Sequence, residues 1–159
     1  MIETRKFYLT KQGLERIKKE EEALRELKIT KTNGGSPQVL HSEDMNPEYL
    51  AFQEDVGFLE ARTLELENIL KNAEIIKVPS KQKQDFVGLG ATVLAELDGK
   101  KGEFKMVGTL EADPLDYKIS NESPIGKAIF GKKAGETVFI KTADIERCCK
   151  IMKVSYGNI

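Results

Sequence analysis

The sequence is poor in the residues that most often build a self-contained catalytic site. It has no tryptophan, one histidine and two cysteines among 159 residues. Cys148 and Cys149 are adjacent, so we expect no disulfide between them, and two thiols alone make no zinc site. We interpret them as reduced thiols in a buried or half-buried strand. His41 stands in a polar stretch without other ligands nearby, which indicates a solvated side chain rather than a metal ligand or a catalytic base.

Missing patterns exclude further classes of protein. The glycines match neither phosphate-binding fingerprint, and the single histidine argues against a Ser/His/Asp or Cys/His triad. No apolar run reaches membrane-spanning length and the N-terminus lacks a signal-peptide core, so we expect a cytoplasmic protein without membrane contact. The net charge of −1 argues against wholesale wrapping by nucleic acid. These absences favour a chain that acts by placing itself on a larger partner.

A heptad pattern runs from Asn46 to Ala73 and predicts a long helix that packs along its length on a second helix. Asn46 can cap the first free amides, and Pro47 suits the first helical position because no amide donor is lost there. The apolar positions of the pattern, interrupted only by Thr63, are Tyr49, Phe52, Val56, Leu59, Leu66, Leu70 and Ala73.

The predicted partner helix spans Leu9 to Leu27, with Thr10 as its N-cap. An apolar stripe of Leu14, Ile17, Leu24 and Leu27 is interrupted by Glu21. Basic residues recur along this first helix and just beyond it, at Lys11, Arg16, Lys18, Lys19, Arg25, Lys28 and Lys31, whereas the second helix carries mostly acidic residues. Because opposite charges flank a shared seam, we expect an antiparallel hairpin within one chain.

Residues 29–45 separate the two helices, and we predict an irregular loop at the far end of the hairpin. Thr30 and Thr32 are poor helix formers, and breakers follow them. Glu43 and Asp44 directly precede the second helix. They complement the helix dipole, or they present two carboxylates that help to hold a divalent metal. Two carboxylates alone bind such a metal weakly, so the remaining ligands would come from elsewhere.

The C-terminal part has the period of strands rather than helices. After a polar linker at 79–85, we predict an α+β domain over 86–159, preceded by a hairpin domain over 1–78. Ser123 and Pro124 repeat the cap-and-proline signal and predict one short helix that ends at Gly131. The predicted strands of the antiparallel sheet are 91–97, 103–110, 117–120, 136–142 and 147–154.

Several blocks of the sequence resemble the bacterial GreA/GreB family of transcription elongation factors. The stretch NPEYLAFQEDVGFLEAR at Asn46 to Arg62 is similar to the second helix of that family. The C-terminal blocks VGLGATV, EADP and KISNESPIGKAIFGKKAGETV follow the family's order and spacing. The resemblance covers nearly the whole chain and implies a coiled-coil hairpin followed by an FKBP-like sheet domain.

The resemblance also implies a function. The C-terminal domain would dock on bacterial RNA polymerase through Glu122, Ser123 and Pro124. The hairpin would then enter the secondary channel as a monomer, with possible contact to the RNA 3′ end. Glu43 and Asp44 at its tip would share a Mg²⁺ with the polymerase, and no cofactor would be bound stably. The chain would stimulate cleavage of backtracked RNA by the polymerase and would not be an enzyme itself.

The tip departs from the family pattern. Anchored on Asn46, the two acid positions of the family hold Ser42 and Met45, and the acids stand at Glu43 and Asp44 instead. The alternative is therefore a regulator that occupies the channel without promoting cleavage, as some relatives do. A third hypothesis, a prolyl isomerase, follows from the fold alone, and few aromatic residues are available to line its pocket.

Overall fold

Side-chain caps begin both long helices in the computed structural model, which describes residues 5–35, 37 and 46–157. Helix α1 is Lys11–Asn33 and helix α2 is Pro47–Lys71. The Thr10 hydroxyl accepts a hydrogen bond from the Gly13 amide at 3.0 Å, and the Asn46 side chain accepts one from the Glu48 amide at 3.0 Å. Both predicted N-caps are confirmed.

Helix α1 continues past the predicted start of the loop. The expectation that Ile29 begins irregular structure is wrong, because the helix ends only at Asn33. The hydroxyls of Thr30 and Thr32 donate to the Glu26 and Lys28 carbonyls at 3.0 and 2.9 Å. Such bonds to the preceding turn let threonine stay within a helix without an unsatisfied hydroxyl.

The helices pair in antiparallel order, as predicted. Ile17 of α1 and Leu59, Leu66 and Ile69 of α2 are buried. The predicted seam drifts near its end, because Ile69 is buried where Leu70 was expected. Leu27 was predicted to belong to the α1 stripe, but it is 53% exposed. Within the described part of the chain, no helix is apolar and long enough to cross a membrane.

Two short strands lie directly before α1 and directly after α2. β1 is Phe7–Leu9 and β2 is Ala73–Ile75, and they pair in parallel with Leu9 opposite Ile75. The Ile76 amide extends the pairing by donating to the Leu9 carbonyl at 2.8 Å. The sequence reading did not predict this pair, because each strand has only three residues.

Contacts divide the chain into two compact units, 14–72 and 1–13 with 73–159. This grouping places β1 and β2 with the sheet, because β1 packs against the 3₁₀ turn at Thr109–Glu111 of that unit and β2 pairs with β1. The ranges 1–78, 79–85 and 86–159 stay a prediction about domains. Segment 79–85 holds one turn of 3₁₀ helix at Lys81–Lys83.

The C-terminal sheet has five strands in the order β5-β4-β3-β7-β6. Their bounds are β3 Ala91–Leu97, β4 Lys100–Val107, β5 Lys118–Ser120, β6 Thr137–Lys141 and β7 Glu146–Tyr156, and helix α3 is Pro124–Ile129. The predicted fold class of hairpin plus sheet domain is confirmed. One pair departs from the antiparallel expectation, since β4 and β5 run parallel. Residues 108–117 connect these two strands with two 3₁₀ turns, and β5 then runs alongside the last three residues of β4, Lys105 to Val107.

One face of the sheet and α3 enclose the core of this unit. Its largest fully buried members include Val93, Met106, Ile129 and Ile151. A register shift between Leu94 and Ala95 places a bulge in β7, which bends the sheet around the helix. The short helix is therefore fixed by packing rather than by its own length.

The carboxylate of Glu111 binds the first turn of α1. Its two oxygens accept from the Thr10 amide and the Thr10 hydroxyl, each at 2.6 Å. A β-carbon on Gly13 would overlap this carboxylate, so only glycine leaves room for it. Glu111 thus satisfies a free amide and places negative charge at the positive end of the helix.

We expect Glu111→Ala to weaken this first turn. Hydrogen bonds to a charged, partly buried group contribute about 2 kcal/mol, which corresponds to roughly 30-fold faster exchange of the Thr10 amide hydrogen. Amide exchange followed by NMR on the whole chain measures the effect. Glu22→Ala is the control, because Glu22 is exposed on the same helix. Equal exchange rates in the two variants would contradict the assignment.

Candidate functional site

The predicted tip carboxylates, Glu43 and Asp44, lie outside the described residues, as do Ser42 and Met45. The structure fixes both helix ends that flank them. α1 ends at Asn33 and α2 begins after its cap at Asn46, where the backbone is extended with φ −61° and ψ 121°. In the described ranges, no group of three or more acidic, histidine or cysteine side chains could hold a metal.

Ion pairs join α1 to α2 along the hairpin. Arg62 binds Glu20 through two nitrogens at 2.7 and 3.0 Å, and these contacts raise the pKa of its guanidinium. The other pairs between the helices are Lys28 with Glu60, Lys31 with Asp55 and Arg25 with Glu67. Many charged side chains of α1 and α2 therefore pair with each other.

Glu21 is a charged residue in the apolar seam of the hairpin. Its side chain is only 10% exposed, and one carboxylate oxygen lies 2.5 Å from an Arg25 nitrogen, without the angles of a hydrogen bond. Burial of a charge costs free energy that such a pair only partly offsets. Glu21 thus stabilises the seam less than an apolar residue would, as the interruption of the stripe in the sequence suggested.

The predicted docking residues form one tight turn between β5 and α3. The Ser123 hydroxyl donates to the Ser120 carbonyl at 2.7 Å and accepts from the Gly126 amide at 3.0 Å. Pro124 follows at the first helical position. A β-carbon on Gly126 would overlap the Ser120 carbonyl, so glycine is required for the close approach. The interpretation of Ser123 as a helix cap is confirmed, and its role in polymerase binding stays a prediction.

Glu122 is held at the surface beside this turn. Its carboxylate accepts from the Thr109 hydroxyl at 2.9 Å and from the Arg5 guanidinium at 3.1 Å. Its amide donates to the Ser120 hydroxyl at 3.0 Å. The side chain remains 52% exposed, so the carboxylate is both oriented and available to a partner.

An open apolar groove of about 460 Å³ lies next to the turn. Tyr117, Pro124 and Ile125 line it together with Phe104 and Ile119. Tyr117 is 70% exposed and has a left-handed backbone with φ 52°, which is uncommon for an aromatic residue. Leu115, two residues earlier, is 92% exposed.

The sequence reading missed Leu115 and Tyr117 as candidate contact residues. A signal was present, because two large apolar residues follow Asp113 and Pro114 in a turn-forming stretch. Such residues are usually buried, and exposed groups of them mark interaction surfaces. With Glu122 and Pro124, they extend the predicted docking residues into a surface.

The predicted burial of the cysteines is confirmed for Cys149 and wrong for Cys148, whose side chain is exposed. Both thiols are free, with Cys149 buried and Cys148 exposed on β7. Burial raises the pKa of the Cys149 thiol, so this side chain stays protonated and unreactive at neutral pH.

Two family models match the chain. "Transcription elongation factor, GreA/GreB, C-term" matches residues 81–156, and "Transcription elongation factor, N-terminal" matches residues 7–75. The chain is 38% identical over 152 residues to transcription elongation factor GreA of Clostridium acetobutylicum, which covers 91% of this chain and 93% of that protein. It is 35% identical over 166 residues to GreA of Bacillus subtilis, with 98% and 100% covered.

Among solved structures, GreA factor homolog 1 of Thermus thermophilus is 29% identical to the chain. The match covers 94% of this chain and 99% of that one, with a TM-score of 0.41.

We expect Ser123→Ala and Ser123→Asp to differ in stability. Alanine removes the cap of α3 at a cost of about 1 kcal/mol, whereas aspartate is itself a good cap. For a chain of this size the loss corresponds to a fall in Tm of about 2–4 °C. Scanning calorimetry of the two variants beside the wild type measures it. If Ser123→Ala melts at the wild-type temperature, the cap contributes nothing.

Proposed function

The chain belongs to the GreA/GreB family of transcription elongation factors, and on that premise we propose that it binds bacterial RNA polymerase at the secondary channel. There it stimulates the polymerase's own cleavage of backtracked RNA and so relieves arrest. It works as a monomer in the cytoplasm and is not itself an enzyme. The observation that carries the proposal is the antiparallel hairpin, because its helices α1 and α2 flank the part of the sequence that contains Glu43 and Asp44.

The hairpin has the length that such a task needs. The 25 residues of α2 extend about 37 Å at the usual rise of 1.5 Å per residue. Because α1 and α2 are antiparallel, Asn33 and Pro47 stand at the same end of the pair. Asp44 precedes Asn46 by two residues, so covalent geometry alone keeps their Cα atoms within about 7 Å. The proposal therefore assigns these two carboxylates to the tip of the hairpin.

The chemistry of these two residues suits a shared Mg²⁺. Carboxylate oxygens are preferred ligands of this ion, and polymerase groups would complete the set. When bound, the ion stabilises charge on the oxygens of the scissile phosphodiester. Glu43 and Asp44 would supply carboxylate ligands to this shared ion. The free protein would hold no cofactor stably.

The docking turn supplies the second part of the proposal. Glu122, Ser123 and Pro124 bind the polymerase together with the apolar groove beside them. An apolar surface with one oriented carboxylate suits a stable protein contact. Because these groups are already held in place, little side-chain conformational freedom is lost on binding.

The sequence of the tip supports one alternative function, that of a regulator that does not promote cleavage. Ser42 and Met45 stand where the family places its acids, so the tip would occupy the channel without assisting cleavage. In that case the protein slows synthesis or competes with other channel-binding factors, and loss of Glu43 and Asp44 leaves this effect unchanged.

The cleavage assay uses a purified, backtracked polymerase complex at saturating protein. We expect the wild type to accelerate RNA cleavage and the double variant Glu43→Ala with Asp44→Ala to remove the acceleration, because the added ligands are gone. Glu54→Ala with Asp55→Ala is the matched control. It deletes an adjacent acidic pair within α2 and breaks only a half-exposed ion pair, which contributes little.

The two candidates give different results in this assay. Cleavage no faster than with polymerase alone rejects the stimulating role. Slower RNA synthesis that survives the double tip substitution then supports the non-cleaving regulator.

Docking is tested separately by titrating labelled protein with polymerase and recording anisotropy. We expect Glu122→Ala to weaken binding about 10-fold, which is a typical effect for a central interface residue. Glu146→Ala is the control, because it removes an exposed carboxylate at the start of β7. Equal affinity of both variants would place the docking surface elsewhere.

A further inference from the structure

A second groove lies within the sheet unit, away from the docking turn. Its volume is about 750 Å³, and aromatic rings form much of its wall. Tyr8 comes from β1, Phe86 precedes β3, Phe130 follows α3 and Tyr156 ends β7. The function proposed above uses none of these side chains.

The rings are fixed in place and partly open to solvent. Tyr156 donates its hydroxyl hydrogen to the Phe86 carbonyl at 2.7 Å, and burial raises the pKa of Tyr156, so this bond persists at neutral pH. Phe86 and Phe130 are 38% and 48% exposed. The Lys133 ammonium lies 4.6 Å from the centre of the Phe86 ring, within the range of a cation–π contact.

Two lysines and one glutamate are the charged residues that line the groove. Lys77 and Lys83 line it, and Lys81 belongs to the same 3₁₀ turn as Lys83. Among the described residues these three lysines form no ion pair, in contrast to the paired lysines of the hairpin. The acidic residues to consider are Glu74, which lines the groove, and Asp85, which precedes Phe86 in the sequence. Glu74 is neutralised by Lys6, and Asp85 lies in the linker.

Proteins that bind single-stranded nucleic acid typically combine aromatic rings with basic side chains. Unpaired bases stack on rings, and lysines contact the phosphates between them. A duplex offers no free base faces, and an acidic peptide uses the lysines but not the rings. We propose that this aromatic groove, formed by Tyr8, Phe86, Phe130 and Tyr156 with Lys77 and Lys83 at its rim, binds single-stranded RNA without regard to sequence.

The choice of RNA rather than DNA rests on the chain's membership of a transcription elongation family, whose templates yield single-stranded RNA. The choice of a single strand rests on the groove alone. Binding is measured without polymerase, so a negative result leaves the proposed function untouched, and failure of the cleavage assay leaves this proposal untouched.

The experiment titrates the full chain into a fluorescein-labelled RNA of about 12 nucleotides, within the usual site size, and records anisotropy at low salt. Three further probes are the same RNA annealed to its complement, DNA of the same sequence, and a polyglutamate peptide. We expect the single-stranded RNA to bind more tightly than the duplex and the peptide, and about as tightly as the DNA, because both single strands offer free base faces and phosphates.

Two variants separate stacking from charge. Phe86→Leu with Phe130→Leu keeps apolar volume but removes two ring faces, and we expect at least 10-fold weaker RNA binding, since stacking contributes about 1–3 kcal/mol per base. Lys77→Gln with Lys83→Gln weakens RNA and polyglutamate alike and lowers the slope of log affinity against log salt by about 1.4. Phe139→Leu and Lys141→Gln, on β6 outside the groove, change nothing.

Several outcomes overturn the proposal. Unchanged RNA affinity in the double leucine variant, with a wild-type circular dichroism spectrum, removes the stacking role. Equal binding of duplex RNA or polyglutamate reduces the groove to a general anion site. Tighter binding of DNA rejects RNA as the occupant. The lysine variant keeps the proposal testable even where the leucine variant fails to fold, because both lysines are exposed.

Discussion

The parallel pairing of β1 with β2 is the constraint on which the rest of the structure depends. A helical hairpin formed by one chain has two free ends, and here each end leads directly into one of these strands. Pairing Phe7–Leu9 with Ala73–Ile75 holds the two ends together within the sheet unit. Glu111 adds a second tie, because it binds the first turn of α1 from a loop of that same unit.

This arrangement explains why the chain is not divided at a single point in the sequence. Residues before α1 and after α2 share backbone bonds, so the helical unit is an insertion into the sheet unit. The cost of ordering long helices is offset along their shared seam, and the strands need only fix the ends. A three-residue strand suffices for that purpose when its partner is equally fixed.

Local signals in the sequence predicted most elements, whereas interactions between distant residues were not predictable. The Asn46 and Thr10 caps and the strand period each act within a few residues, and they were predicted correctly. β1 is too short to show a period. The bond from Glu111 to Thr10 joins residues 101 positions apart, and no local pattern encodes it.

Helix propensity gave a wrong prediction for the end of α1. Thr30 and Thr32 disfavour helix when considered singly, but their hydroxyls bond to the preceding turn and α1 continues. At the candidate site the cap by Ser123 was predictable from its proline neighbour. The exposed Leu115 and Tyr117 were not weighed, since exposure of an apolar residue depends on the packing of the whole unit.

The docking turn shows how a surface can be specific with few free polar groups. The Ser123 hydroxyl is occupied by Ser120 and Gly126, and Pro124 offers no donor. Glu122 alone presents a charge, already oriented by Thr109 and Arg5. If this turn docks on the polymerase as proposed, shape and apolar contact would contribute beside the Glu122 carboxylate, and a turn that is ordered before the partner arrives would lose little freedom on binding. The same hydrogen bonds that form the turn therefore also orient the surface proposed for docking.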